Sequence, residues 1–236
     1  DVYKRQYPWL TELGLDLSFR LDGLSFLFAL LILGIGLLVI LYARYYLAKQ
    51  EPMGRFFAYL LLFMGAMLGV VLSENLLLML MFWELTSLSS FLLVGFWSGS
   101  SDARRGARMA LTITGGGGLA LLAGILLLGH MAGSFELSVV LEAGDIVRAH
   151  SLYPVALTLI LLGVFTKSAQ FPFHFWLPQA MAAPTPVSAY LHSATMVKAG
   201  VFLLARLYPV LAGTDWWFYM VSMTGMVTLL FGACMA

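Results

Sequence analysis

The segment KSAQFPFHFWLP (residues 167–178) places a lysine and two prolines inside an apolar run that extends from Leu152 to about Ala180. A straight helix over that run would measure about 43 Å, which exceeds the ~30 Å hydrocarbon core of a bilayer. A proline inside a helix removes a backbone hydrogen bond and clashes with the preceding turn. We therefore predict a broken membrane helix, hinged near Gln170–Pro172, with Pro178 in its second part.

Broken helices are tolerated in membranes only where protein or a cavity satisfies the freed backbone groups. They are a common feature of transporter binding regions. A proline kink without a function is the alternative, and the lysine placed just before the break, Lys167, favours a functional role.

The rest of the chain has the composition of a polytopic membrane protein. Of its 236 residues, 61% are hydrophobic and 11% are charged, and the mean hydropathy is +0.91. Ordinary soluble domains carry about 25% charged residues. Besides the run from Leu152, six segments approach the length of about 20 residues that a membrane span needs: Gly23–Ala43, Phe56–Ser73, Leu76–Trp97, Met109–Gly129, Pro186–Ala205 and Trp216–Ala236. We predict an all-α transmembrane helix bundle of about seven spans.

The charges between the spans predict the orientation, because basic loops belong on the cytoplasmic side. The loops at residues 44–55 and 98–108 are rich in arginine and lysine, whereas the loop at 133–150 is mainly acidic. By helix count both basic loops fall on one side, which we assign to the cytoplasm. Residues 1–22 then form an extracytoplasmic segment. Because the chain begins without methionine and ends inside an apolar run, we expect a fragment of a longer membrane protein.

Three shorter features give local expectations. Gly115–Gly118 is not followed by the Gly-Lys-Ser/Thr of a phosphate-binding loop, so these glycines are expected to let helices approach closely. Glu74 lies in a tight turn near the outer surface and is expected to be solvated. The apolar stretch Phe135–Leu141 is too short to span, and both a surface strand and an interfacial segment remain open.

Three ionisable residues lie within the apolar spans: Glu84, Lys167 and Lys198. A charge at the bilayer centre costs roughly 2.5–3.5 kcal/mol on insertion scales, so three cost roughly 8–10 kcal/mol. Such residues usually face a protein interior or a wet cavity and mark ion or proton routes. The alternative is a structural ion pair between helices, which is costly to keep for stability alone. We therefore predict ion transport.

These residues can be arranged as a proton relay. We expect Glu84 to be a movable partner that switches Lys167 between holding and releasing a proton. His192 and Lys198 are six residues apart, about 120° off one helix face, so they can line one cavity at different depths. Histidine suits a proton relay because it titrates near neutrality, although a lone buried histidine is as often merely hydrogen-bonded. His174, beyond the break, is expected to gate the cytoplasmic exit.

Several other classes of function are excluded or disfavoured. A single cysteine, Cys234, excludes an internal disulfide framework and a cysteine metal cluster. The four histidines are scattered without the spacing of a helical zinc site, so no metal, cofactor or metalloenzyme is expected. The basic loops are interpreted as topology determinants, so no nucleic acid partner is expected. A non-conducting membrane scaffold remains open as an alternative of another class.

Two stretches carry a strong resemblance to a known family. Residues 167–178 and the stretch APTPVSAYLHSATMVKAG (183–200) resemble the signature of proton-conducting antiporter-type subunits. That family includes the large A subunit of Mrp-type multisubunit Na⁺/H⁺ antiporters and the antiporter-like subunits of respiratory complex I and membrane-bound hydrogenases. The resemblance covers roughly residues 18–236. FWELTS (82–87), Tyr190, Ser193 and Lys198 resemble the Mrp-type A subunit more closely than they resemble the complex I relatives.

The resemblance implies a fold of two inverted five-helix repeats, each with a broken helix. Residues 23–236 are then the proton-conducting domain of the fragment and the first half of that fold, with the first repeat at 56–209 and the start of the second at 216–236. Two residues depart from the family pattern beside the cytoplasmic end of the broken helix: Gln179, where many members carry Asp or Asn, and Ala182, where Glu is common.

The same resemblance implies a function. It makes Glu84 and Lys167 the buried pair of the proton pathway, and Lys198 with His174 and His192 the connecting relay. The chain would be a secondary-transporter subunit rather than an enzyme, moving protons and Na⁺ across a cell membrane together with other antiporter subunits. An antiporter-like, non-redox subunit of complex I or of a hydrogenase remains the alternative within the family.

Overall fold

The structure is a computed structural model that describes residues 2–10, 12, 14–48 and 50–235. Lys49 of the basic loop and the final residue of the predicted last span therefore lie outside the described residues. Within the described part, six helical segments are long and apolar enough to cross a membrane, one of which (Thr185–Leu211) is interrupted by a turn, and the apolar helix Tyr153–Lys167 is shorter. The prediction of a helical membrane bundle that contains a broken helix is confirmed.

An antiparallel hairpin precedes the helices and was not predicted from the sequence. Its strands are β1 (Tyr3–Leu10) and β2 (Leu15–Leu21). The described helices that follow are α1 (Gly23–Tyr46), α2 (Met53–Leu72), α3 (Leu76–Val94), α4 (Ser101–Ala132), α5 (Leu137–Glu142), α6 (Gly144–Ala149), α7 (Tyr153–Lys167), α8 (Trp176–Ala180), α9 (Thr185–Ser188), α10 (Met196–Leu211) and α11 (Asp215–Met235).

The broken helix ends at Lys167, three residues before the predicted hinge at Gln170. Ala169 adopts a left-handed backbone conformation (φ 51°), and the Gln170 N–H donates to the Phe165 carbonyl at 2.9 Å. This is the Schellman arrangement that commonly ends helices. Pro172 lies in the turn that follows. The left-handed conformation of Ala169 therefore ends α7, and Pro172 lies outside the helix.

The second half of the broken element continues toward the basic end of the bundle. A short 3₁₀ turn, Phe173–Phe175, leads into α8, which contains Pro178. α8 packs against the beginning of α4, where a Cβ placed on Gly106 would lie 2.2 Å from the Gln179 carbonyl oxygen. α7 and α8 together therefore extend from the acidic loop to the basic end of α4.

The sixth predicted span also contains a break, which the sequence analysis did not foresee. α9 passes into a π-helical turn, Ala189–Ala194, and Thr195 then leaves the helical region (φ −131°, ψ −74°) before α10 begins. Single π-helical turns are rare and frequently occur at functional sites. The predicted span Pro186–Ala205 is thus two helical pieces, with His192 in the turn between them.

The hairpin covers the acidic turn between α2 and α3. Glu74 is only 3% exposed, and its carboxylate lies 2.6 Å from Lys4 and 3.4 Å from Arg20. The prediction of a solvated Glu74 is wrong, because the hairpin brings two basic side chains over it. The surface strand considered for residues 135–141 is also wrong, since α5 begins at Leu137 and buries that residue.

A buried ion pair joins the start of α1 to α10. Arg206, which is 7% exposed, lies 2.5 Å from Asp22 and donates to the Ser25 hydroxyl at 2.6 Å. Asp22 also caps α1 by accepting from the Ser25 N–H at 2.9 Å. Partial burial favours the neutral carboxyl, but the hydrogen bonds from Arg206 and Ser25 outweigh this effect and hold the pKa of Asp22 well below its usual range.

Asp22→Asn is expected to destabilise the full-length protein by about 3 kcal/mol, the lower end of the range for a buried pair that loses one partner. Asparagine keeps the helix cap, so Asp22→Ala should cost about 1 kcal/mol more. The depressed pKa means that the ionised Asp22 stabilises the fold above its unfolded pKa of about 3.9 and loses this effect as the pH falls further.

The measurement is the thermal denaturation midpoint of the protein in its complex. The gap between wild type and Asp22→Asn should be equal at pH 8 and pH 6. Asp145→Asn is the matched control, because Asp145 pairs with Arg148 while fully exposed, where such pairs contribute little to stability. An Asp22→Asn midpoint equal to that of Asp145→Asn would refute the assignment.

Candidate functional site

Lys167 lies at the centre of the described bundle and is completely buried. Its Nζ donates to the Ser87 hydroxyl at 2.7 Å and to the Trp83 carbonyl at 3.1 Å, and lies 5.2 Å from the centre of the Trp83 ring. Ser87 and Trp83 are one turn apart on α3, so they present one face to α7. The ammonium group is therefore held by neutral groups.

Glu84 occupies the next face of α3, about 100° further round the helix. Among the described residues no carboxylate oxygen of Glu84 lies within 4.0 Å of Lys167 Nζ, so the two do not form a direct ion pair here. Glu84 Oε1 is buried and has no hydrogen-bond partner in the described part of the chain. An unsatisfied buried acceptor is costly, and here it lies beside the buried lysine.

The glycines of α4 set the position of these groups. A Cβ on Gly118 would lie 1.7 Å from Glu84 Oε1, and a Cβ on Gly117 would lie 1.7 Å from the Thr166 hydroxyl oxygen. By contrast, Gly115 and Gly116 face open space among the described atoms. The prediction that the glycines allow close helix approach is confirmed for Gly117 and Gly118.

α4 and α7 form the most extensive helix contact in the described bundle. Two glycines complete the seam: a Cβ on Gly163 would lie 2.6 Å from Leu121 Cβ, and a Cβ on Gly124 would lie 2.7 Å from the Ile160 side chain. Small residues let helix backbones approach closely in membranes. The seam places the end of α7, and with it Lys167, against α3 and α4.

The two helix breaks contact each other directly. The Ser168 hydroxyl donates to the Val197 carbonyl at 2.7 Å, and a Cβ on Gly200 would lie 2.1 Å from that hydroxyl oxygen. The Trp176 ring N–H donates to the Thr166 carbonyl at 2.9 Å. The Trp176 side chain thus satisfies one of the carbonyl groups left free at the end of α7, as a broken helix in a membrane requires, and Ser168 ties this break to the first turn of α10.

The Trp176 ring lies between His192 and the last turn of α7, which contains Lys167. Its ring centre is 5.9 Å from that of Trp176, whose N–H contacts the residue preceding Lys167. Both ring nitrogens of His192 are buried, and neither has a hydrogen-bond partner in the described part of the chain. No described protein group therefore fixes the proton on either ring nitrogen.

The other two predicted relay residues lie apart from this cluster. His174 stacks on Phe171 at 5.7 Å and contacts Phe231 of α11 at 4.3 Å between ring centres. Lys198 is exposed on α10. The structure thus brings Glu84 and Lys167 close together, connects His192 to the Lys167 turn only through Trp176, and leaves Lys198 exposed and His174 half-buried beside α11.

Sequence reasoning did not assign roles to Ser87, Trp83 and Trp176. The spacing of Trp83 and Ser87 by four residues on one helix could have identified a shared face. No local pattern indicated that α7 would present its lysine to that face. The half-buried Glu84 and the buried Lys167 can hold a proton between α3 and α7, and the buried His192 is a further ionisable group beyond Trp176.

Two family models match the chain. "NADH:quinone oxidoreductase/Mrp antiporter, TM" matches residues 73–236, and "NADH-Ubiquinone oxidoreductase (complex I), chain 5 N-terminus" matches residues 9–57. The chain is also similar to a solved structure, the Mrp complex from Dietzia sp. DQ12-45-1b, with a TM-score of 0.93 and 37% identity over 98% of this chain and 25% of that chain.

Curated relatives agree with this match. A protein of Rhizobium meliloti (strain 1021), named as the probable A/B subunit of a K(+)/H(+) antiporter, is 63% identical over 235 residues, covering 100% of this chain and 24% of the relative. A protein of Alkalihalophilus pseudofirmus, named as the A subunit of a Na(+)/H(+) antiporter, is 54% identical over 236 residues, covering 100% and 29%. The chain thus spans about a quarter to three tenths of these relatives' length. The resemblance first seen in residues 167–200 is confirmed, and the chain belongs to the NADH:quinone oxidoreductase/Mrp antiporter family of membrane proteins.

Proposed function

We propose that this chain is part of the proton-translocating subunit of a multisubunit monovalent cation/proton antiporter in a bacterial plasma membrane. One observation carries the proposal: Lys167 is completely buried among membrane helices, held by a hydroxyl and a carbonyl, beside a glutamate with an unsatisfied oxygen. Charged groups inside membrane bundles usually serve transport. A scaffold would gain more from a direct ion pair or from apolar packing.

In the proposed mechanism a proton passes between Glu84 and Lys167. Rotation of the Glu84 side chain within α3 brings its carboxylate toward the ammonium and stabilises the proton there. Movement of Glu84 back toward Gly118 leaves Lys167 among neutral groups, which favours release of the proton. His192, beside Trp176, accepts it next. Gln170 and Pro172, in the turn after α7, allow this region to flex.

We also propose that the described bundle is the first half of the antiporter domain, with residues 56–209 as one five-helix repeat and α11 as the start of a second. Lys198 and His174 lie at the margin of the bundle and, in this proposal, carry protons between its site and the rest of the protein. The energy comes from an ion gradient, and the partners are the other subunits of the complex.

The exchanged cation is Na⁺ in this proposal, with K⁺ as the competing candidate. The relative with 54% identity is named for Na⁺, whereas the one with 63% identity is named for K⁺. Assays with each cation in turn distinguish the two.

Glu84→Gln is expected to lower the exchange rate about 100-fold, since the amide keeps the shape of the side chain but cannot hold a proton or attract one. The full-length protein and its partners are placed in everted vesicles, and the pH gradient dissipated by added Na⁺ or K⁺ is followed with a pH-sensitive dye. Glu142→Gln is the matched control, because Glu142 is exposed in α5. Exchange by Glu84→Gln at the control rate would end the proposal.

A further inference from the structure

A cavity of about 350 Å³ opens between α2, α3 and α4, at the end of the bundle that the basic loops assign to the cytoplasm. Three arginines line it: Arg55 from the first turn of α2, and Arg104 and Arg108 from the first turns of α4. Its floor is apolar and aromatic, with Tyr59, Phe91 and Leu92. None of these residues belongs to the proposed proton path.

The three guanidinium groups carry no counter-charge of their own. None of them pairs with a carboxylate in the described part of the chain, and the residues that line the cavity include no acid. Instead, backbone carbonyls orient two of them: Arg55 donates to Phe96 at 3.5 Å and lies over its ring, and Arg104 donates to Ser98 at 2.5 Å. A guanidinium has five N–H donors, so most of them remain free to bind an anion.

The depth of the cavity matches the region of lipid headgroups. Arg55 and Arg104 lie in the first turns of α2 and α4, and Arg108 lies one turn after Arg104. Tyr59 lies one turn further along α2 than Arg55, and Phe91 and Leu92 lie in the last turn of α3. Charge at the rim and apolar surface below it are the two parts that one phospholipid molecule requires. Arginine forks fit phosphate oxygens in pairs, and basic pockets between membrane helices on the cytoplasmic side bind anionic headgroups.

We propose that this cavity binds one anionic phospholipid of the cytoplasmic leaflet, with its phosphate held by Arg55, Arg104 and Arg108 and an acyl chain along Tyr59, Phe91 and Leu92. The bound lipid supplies the negative charge that the cavity lacks and ties the start of α4 to α2 and α3. Because α4 also contacts Glu84, the site lies on the helix that positions the proton-path glutamate.

The chain offers a matched control for this site. Arg105 is exposed on the same turn of α4 but lines a separate cavity, together with Asp102 and Gln179. It carries the same charge on the same turn of the helix but does not line the cavity formed by Arg55, Arg104 and Arg108. Arg105→Gln should therefore leave lipid binding unchanged, whereas the triple variant Arg55→Gln/Arg104→Gln/Arg108→Gln removes the headgroup contacts.

The test places a photoreactive benzoylphenylalanine at Leu92 in the full-length protein within its complex. The complex is reconstituted in vesicles of phosphatidylglycerol and phosphatidylcholine, irradiated and digested, and the residue-92 peptide is weighed by mass spectrometry. We expect a phosphatidylglycerol adduct that falls at least about tenfold in the triple variant and persists in Arg105→Gln. Excess inorganic phosphate should not remove it, because the acyl contacts hold the lipid.

Four outcomes would overturn the proposal. They are an adduct with a peptide of a neighbouring subunit, equal labelling by phosphatidylcholine, displacement by inorganic phosphate alone, and full labelling in the triple variant. As a second measurement, phosphatidylglycerol that remains bound through detergent washing is quantified per complex, with and without the triple substitution. Retention equal to that of Arg105→Gln would also overturn it. The cation-exchange assay is independent of all these readouts.

Discussion

Lys167→Met is expected to abolish cation/proton exchange, with a loss of about 100-fold or more, while the complex still assembles. Methionine fills nearly the same volume and needs no hydrogen-bond partner, so the buried site remains packed. The variant leaves Glu84 without the only buried amine near it among the described residues. Na⁺- and K⁺-dependent pH changes in everted vesicles measure the rate, and co-purification of the partner subunits measures assembly.

Lys167→Arg distinguishes a lysine that transfers protons from one that only supplies a positive charge to anchor helices. Arginine stays protonated in proteins, so it can keep a structural cation at the Ser87 and Trp83 contacts but cannot release a proton. A relay therefore predicts that an assembled Lys167→Arg complex is as inactive as Lys167→Met. If the lysine only anchors helices, Lys167→Arg should instead restore most of the exchange rate, and that result would contradict the mechanism proposed for Glu84 and Lys167.

Gly117→Ala is expected to lower both the stability of the complex and its exchange rate. The new Cβ would lie 1.7 Å from the Thr166 hydroxyl oxygen and 2.7 Å from Thr166 Cβ, which is fixed to the backbone of α7. α4 and α7 must separate, and overpacking of this kind typically costs about 1–3 kcal/mol. Because Lys167 follows Thr166 directly, the shift also moves the ammonium group. Both the denaturation midpoint of the complex and its exchange rate should fall.

Gly116→Ala is the control for that prediction. A Cβ on Gly116 would meet no described atom within 4 Å, and alanine favours a helix interior over glycine by roughly 0.5–1 kcal/mol. Its denaturation midpoint should be unchanged or raised. Equal losses in Gly116→Ala and Gly117→Ala would show that the glycines act through α4 alone and not through its contact with α7.

Gly118→Ala should behave differently from both. Its Cβ would meet the Glu84 carboxylate, which is the end of a side chain that can rotate. The stability should therefore change less than in Gly117→Ala, while the exchange rate falls because the carboxylate is displaced. This contrast between neighbouring glycines distinguishes packing of the helices from positioning of the proton-path glutamate.

Some of the candidate site was predictable from local sequence. A lysine or glutamate in an apolar run is visible without a structure, because the transfer cost of its charge depends only on its neighbours along the chain. Glu84, Lys167 and His192 were identified in this way. The contacts of Lys167 were not, since Ser87 precedes it by 80 residues. The exposure of Lys198 was also not predictable, because the sequence does not show which face of α10 packs against the other helices.

Local sequence predicted the region of the break but not the residue at which α7 ends. Proline has a known effect on a helix, so Pro172 suggested a hinge near Gln170. The actual end depends on Ala169 in a left-handed conformation, which costs an alanine roughly 1–2 kcal/mol. Alanine is otherwise the best helix former. The capping bond from the Gln170 N–H and the hydrogen bonds of Trp176 and Ser168 help to offset that cost, and the last two depend on tertiary structure.

The sequence by itself determined the class of this protein: apolar runs of span length, basic loops on alternate connections and charges placed within the runs. Those properties are sums over neighbouring residues, and the bilayer acts on them locally. Tertiary structure alone decided which charges meet. It covered Glu74 with a hairpin, paired Arg206 with Asp22 across 184 residues, and held Lys167 among neutral groups beside Glu84. Each of these contacts joins residues that are far apart in the chain. They form only when the packed elements bring those residues together, so no local pattern could predict them.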